Sequence, residues 1–124
     1  MIKNKITLFP QFFVVLLAVA CVAPLRIAGA QDPPQVIEIS AKRFGFTPNR
    51  VTLKKGETVT LRLSSEDVTH GFFVRPLKID QEVVPGQSAE VTITPQAAGD
   101  YTVICHHFCG VNHGNMRMVI TVTE

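Results

Sequence analysis

"RVTLKKGETVTLRLS", Arg50 to Ser64, alternates apolar and polar residues on both sides of a glycine. Val51 and Leu53 share one face before Lys55-Gly56, and Val59, Leu61 and Leu63 share one face after it. A period of two is what a strand with one buried face requires, and Lys55-Gly56 supplies a turn. The same pattern extends outward in both directions. "VIEISA" aligns Ile37, Ile39 and Ala41, and "AEVTITP" aligns Val91 and Ile93. "DYTVIC" aligns Tyr101, Val103 and Cys105, and "MRMVITVTE" aligns Met118, Ile120 and Val122. "PGQ" at Pro85 and "AAGD" at Ala97 punctuate these segments, and no window carries a helical period. About seven or eight short strands so spaced predict an all-β Greek-key antiparallel sandwich or barrel. Phe44, Phe46, Phe72 and Phe73 are expected to fill its core or cover a site.

Ahead of this domain the chain changes character. Lys3 and Lys5 precede the apolar run "FFVVLLAVACVA", Phe12 to Ala23, and "AGA" at Ala28 to Ala30 offers small residues of the kind a signal peptidase reads. Residues 1–30 therefore read as a secretory signal, 31–36 as a flexible lead-in and 37–124 as the folded domain. The run is short for a membrane span of about 20 residues. Retention as an anchor, or lipidation of Cys21 in "LAVAC", would instead attach the protein to a membrane. Removal of residues 1–30 takes away Lys3, Lys5 and Arg26 and no acid, leaving 12 − 3 = 9 basic against 10 acidic residues. No basic run survives to suggest a nucleic-acid partner. The expected location is the periplasm or another exported space.

Between two of the predicted strands lies "CHHFCGVNHGNM", Cys105 to Met116, which holds two cysteines, three histidines and a methionine. One further histidine, His70 in "DVTHGFFV", precedes an apolar strand and can lie at an end of the sandwich. Thiolate, imidazole and thioether together favour copper, whereas zinc rarely takes a thioether. In an oxidising compartment Cys105 and Cys109 also admit a disulfide, which leaves His70, His113 and Met116 unexplained. A mononuclear blue-copper site leaves one thiol unused. A Cys/His nucleophile lacks an orienting acid and an oxyanion device, and nothing argues for hydrolysis or group transfer. His106 reads as solvated or supporting, and Met118 as core.

The loop "CHHFCGVNHGNM", with its C-x-x-x-C-x-x-x-H-x-x-M spacing, resembles the dinuclear copper A loop of cytochrome c oxidase subunit II and nitrous oxide reductase. "DVTHGF", "FGFTPNRVTLKKGETVTL" and "PQAAGDYTVIC" are similar to other segments of that family, so the resemblance runs from about Ile37 to Glu124. It implies a cupredoxin fold in which the thiolates of Cys105 and Cys109 bridge two copper ions. His70 and His113 would each bind one ion through an imidazole, Met116 would be a weak ligand to one, and the backbone carbonyl of His107 a weak ligand to the other. The implied role is one-electron transfer with a cytochrome c, an oxidase or a reductase as partner, rather than catalysis by the chain itself. Copper storage or delivery during oxidase assembly uses the same donors and stands as the alternative. The chain departs from the family in three ways: His107 stands where subunit II usually has Glu, it has no Trp, and it has no transmembrane hairpin. His107 is thus a second kind of candidate, a ligand through its imidazole.

Overall fold

Among the described residues the alternation read in the sequence becomes nine strands in two facing sheets. The computed structural model describes Gly29 and residues 32–124, so the apolar run read as part of a signal, with Cys21, lies outside the described residues. The strands are β1 (Gln35–Lys42), β2 (Gly45–Thr47), β3 (Arg50–Lys54), β4 (Val59–Ser65), β5 (His70–Val74), β6 (Ile79–Val83), β7 (Ala89–Ile93), β8 (Gly99–Ile104) and β9 (Arg117–Thr123). One sheet has the order β2-β1-β4-β7 and the other β3-β9-β8-β5-β6. Among the described residues the remaining regular elements are two 3-10 turns, Arg75–Leu77 and His113–Asn115, and no helix is long and apolar enough to cross a membrane.

Every second residue faces the gap between the sheets. Ile39, Ala41, Val59, Leu61 and Leu63 enter it from one side. Val51, Leu53, Phe72, Val74, Val103, Met118, Ile120 and Val122 enter from the other. Each large apolar side chain so buried stabilises the fold by about 2 kcal/mol before the entropy of ordering it. Phe46 and Phe72 meet edge to face across the layers, with ring centroids 5.6 Å apart. Phe44 packs against the core, and Phe73 turns outward onto His106. Met118 is core, as its place in the alternation required.

The all-β sandwich matches the expectation, with three differences in detail. Two pairings, β1 with β4 and β3 with β9, run parallel, whereas the sequence pattern suggested antiparallel strands throughout. The opening stretch shows how: β3 and β4 lie in different sheets rather than pairing as a hairpin, so β4 pairs with β1 and β3 with β9. Gly56, at φ +81°, makes the turn between them, and the turn is anchored by Lys55 N–H to Thr123 O (2.9 Å) and Gly56 N–H to Pro95 O (2.8 Å). Secondly, β1 starts at Gln35, inside the segment read as lead-in, because its ladder with β4 extends to Gln35 opposite Val59. Thirdly, β2 and β6 carried no clear alternation; β6 is fixed by pairing His70–Val74 with Ile79–Val83.

Three connections meet at one end of the sandwich. They are the β1–β2 turn at Arg43-Phe44, the β4–β5 crossing at Glu66–Thr69, and the β8–β9 loop that holds Cys105 to Met116. The loop is closed at its base by Cys105 N–H to Met116 O at 3.2 Å.

Candidate metal centre

His70 opens β5 and points inward by the same alternation that buries Phe72 and Val74, so an imidazole sits fully buried in an apolar sheet. A buried polar ring needs partners. Its Nε2 lies 2.7 Å from Asp67 Oδ1, and its Nδ1 lies 3.9 Å from Cys105 Sγ. Burial alone would raise the Asp67 carboxyl, but hydrogen bonds from Arg43 N–H, His70 and Val68 N–H outweigh it and hold the group well below the usual carboxylate range. Asp67 is therefore a carboxylate that only accepts, so His70 Nε2 is the donor, and in the neutral ring the Nδ1 lone pair faces the sulfur.

Cys105 follows β8, and the backbone there is close to β5. A Cβ on Gly71 would collide with the His106 ring and stand 2.8 Å from the His107 nitrogen, so glycine permits the approach. Gly71 N–H points to Cys105 Sγ at 3.4 Å, and the carbonyl oxygen of His107 lies 3.2 Å from the same sulfur. The His107 imidazole turns outward, with Nε2 3.5 Å from Glu82 Oε1. His106 also turns out, stacked on Phe73 and 2.8 Å from Asp80 Oδ1.

The second sulfur, Cys109 Sγ, lies 3.7 Å from Cys105 Sγ, and both are free thiols rather than a disulfide. His113 Nδ1 is 3.7 Å from Cys109 Sγ and Met116 Sδ is 3.8 Å from it. The turn His113–Asn115 brings them there, with His113 N–H bonded to Gly110 O and Met116 N–H to His113 O, each 3.1 Å. Gly110, at φ +140°, lets the loop reverse beneath Phe44. Cys105, Cys109 and Met116 are buried, whereas His113 is half-buried. Burial, with the adjacent Cys105 thiol, pushes the Cys109 thiol up to about 11, although Arg43 works against it. A cation bound there at neutral pH must displace a proton.

The fold thus brings together His70, Cys105, Cys109, His113 and Met116, with His107 present by its carbonyl. The ligand atoms of His70, Cys105 and Cys109 all lie within 4.8 Å of one another. Sequence reading missed Asp67, Arg43 and Gly71. Asp67 had a signal, since a ligating histidine commonly gives its other N–H to a carboxylate and Asp67 stands three residues away. Arg43 had none.

A two-sheet sandwich with soft donors from a strand start and a β8–β9 loop defines a class, and the chain belongs to it: the cupredoxin-like domain family, whose model matches residues 12–122. It is homologous to the copper domain of cytochrome c oxidase subunit II. With the subunit 2 of Thermus thermophilus it shares 36% identity over 88 residues, covering 71% of this chain and 65% of that one. With nitrous-oxide reductase of Cupriavidus necator it shares 34% over 85 residues, 65% of this chain and 13% of that one. The periplasmic domain of cytochrome oxidase subunit II of Bradyrhizobium japonicum superposes with a TM-score of 0.67 at 17% identity, over 73% of this chain and 84% of that one; this shows the shared fold. The chain spans 65% and 52% of the two Thermus thermophilus subunit 2 sequences it matches. The cluster of one histidine and two cysteines is compatible with copper.

Proposed function

We propose that this chain is an exported protein that carries single electrons on two copper ions held in one dinuclear centre. The observation behind this reading is the symmetry of the donors. Two sulfurs 3.7 Å apart each have an imidazole nitrogen and one weak donor of their own. Cys105 has His70 Nδ1 and the His107 carbonyl, and Cys109 has His113 Nδ1 and the Met116 thioether. A single ion on one thiolate would leave the other sulfur idle within the same buried cluster. The donor set also fits the metal, because thiolate, imidazole and thioether are soft enough for copper.

In this reading Cys105, Cys109, His70 and His113 would be the strong donors that hold the copper, and Met116 and the His107 carbonyl would be weak ones. Bound copper supplies the one-electron couple. The protein supplies a frame that holds the donors still. Asp67 fixes the tautomer and tilt of His70, the β5–β8 approach at Gly71 fixes Cys105, and burial keeps water from the sulfurs. Little reorganisation is then needed when one electron arrives or leaves. Homology to subunit 2 and to nitrous-oxide reductase supports a redox partner such as a cytochrome c, an oxidase or a reductase. The signal-like segment supports export to the periplasm with cleavage near Gln31, and membrane attachment only through a retained segment or a lipidated Cys21.

Copper loading of the purified domain tests the reading. Metal analysis should give about two coppers per chain, with a mixed-valence spectrum in which the unpaired electron couples to both nuclei. Cys105→Ser and Cys109→Ser should each abolish that coupling. One copper per chain with single-nucleus coupling would replace the dinuclear reading by a mononuclear blue site.

A further inference from the structure

Arg43, in the β1–β2 turn, touches both halves of the centre without belonging to either. Its backbone N–H donates to Asp67 Oδ2 at 2.9 Å, and the other oxygen of Asp67 receives His70 Nε2. Its side-chain Nε donates to the carbonyl oxygen of Cys109 at 2.7 Å. The next residue, Phe44, lies over Gly110, where an added Cβ would stand 2.9 Å from its ring. One short turn therefore grips the His70 half through a carboxylate and the Cys109 half through a main-chain carbonyl. Gly110 O receives His113 N–H, while the Cys109 carbonyl has its hydrogen bond from Arg43.

We propose that Arg43 is a positioning residue that sets the separation of the two halves of the centre through its Nε hydrogen bond to Cys109. The consequence for copper rests on the dinuclear reading; the hold on the loop does not. Bond counting separates this role from a mere effect of charge. Glutamine places an N–H donor as many bonds from the backbone as arginine Nε, and carries no charge. Lysine keeps the charge but puts a methylene at that position. Methionine has neither donor nor charge.

Without metal, the alkylation rate of Cys109 reports how often the loop opens. Arg43→Met should raise it about tenfold or more, the loss expected for a charge-assisted bond to a carbonyl. Arg43→Lys should behave like Arg43→Met, and Arg43→Gln should stay within about threefold of the parent, because a neutral bond remains. After copper loading, Arg43→Met and Arg43→Lys should divide the unpaired electron unequally between the nuclei, and Arg43→Gln should not. Full protection by lysine with none by glutamine would overturn the proposal in favour of charge alone. Unchanged rates in all three variants would overturn it outright. If the parent chain bound a single copper, the dinuclear reading would fail while the alkylation rates still decided the role of Arg43.

Discussion

His70 and His113 present the same ring atom to neighbouring sulfurs, at 3.9 and 3.7 Å, yet they are held in different ways. His70 begins a strand, is fully buried, and is locked by Asp67. Its sulfur partner, Cys105, follows a strand paired along its length with β9. His113 opens a 3-10 turn in a loop and is half-buried, and its ring leans on the exposed ring of Phe108, with centroids 5.8 Å apart. The first half is fixed by sheet pairing and core packing, which exist whether or not metal is present. The second depends on a few local hydrogen bonds and on whatever grips Cys109 from outside.

That contrast predicts unequal effects of removing each histidine. In the proposed centre both His70→Ala and His113→Ala would delete a strong donor, so both should lose copper. Without metal they should differ. His70→Ala leaves a cavity and takes one hydrogen-bond donor from Asp67, which keeps those of Arg43 and Val68; the cost should be about 3 kcal/mol, or roughly 10–25 °C in melting temperature for a domain of this size. His113→Ala should cost less than about 1 kcal/mol. Equal melting temperatures for the two metal-free variants would show that the loop half is as firmly built as the strand half.

A smaller effect sharpens the same contrast from within the strand half. Gly71→Ala puts a methyl into the His106 ring and 2.8 Å from the His107 nitrogen, and the latter is backbone that no rotamer change relieves. The fold should lose about 1–3 kcal/mol, as overpacking does. The Gly71 N–H contact to Cys105 should lengthen, with a shift in the spectrum of the loaded protein. Wild-type stability and spectrum in Gly71→Ala would mean that the loop base slides freely, contrary to a rigid first half.

The difference between the halves also explains what could be read from the chain. Strands with a buried face, such as Val59–Ser65 and Arg117–Thr123, announce themselves because every second residue must be apolar. The side chains that the fold gathers at one end were legible for a related reason: soft side chains are few, and they crowd between Cys105 and Met116. Asp67 lay within reach, three residues from His70. Arg43 did not, since its link to Cys109 spans 66 positions and needs only a backbone carbonyl, which leaves no mark on the sequence. Parallel pairing was hidden as well, because alternation reports which face is buried and says nothing of a neighbour's direction.

The smallest expected effect belongs to His107, where two parts of one residue have separate roles. Its carbonyl oxygen lies 3.2 Å from Cys105 Sγ, while its imidazole is 45% exposed and turned toward Glu82. If the carbonyl is what the centre uses, the side chain is replaceable so long as the backbone stays in place. An exposed imidazole–carboxylate contact at 3.5 Å is worth at most a fraction of a kcal/mol, so His107→Ala should change stability by less than about 0.5 kcal/mol. Its copper content and mixed-valence coupling should match the parent's, with only a modest shift in potential from the altered charge nearby. His106→Ala is the matched comparison, since it removes a ring stacked on Phe73 and paired with Asp80 and should disturb the fold slightly more. An imidazole ligand at position 107 makes the opposite forecast. Copper content would fall in His107→Ala and stay whole in His106→Ala, and that outcome would sink the carbonyl assignment and give the His70 half a third strong donor.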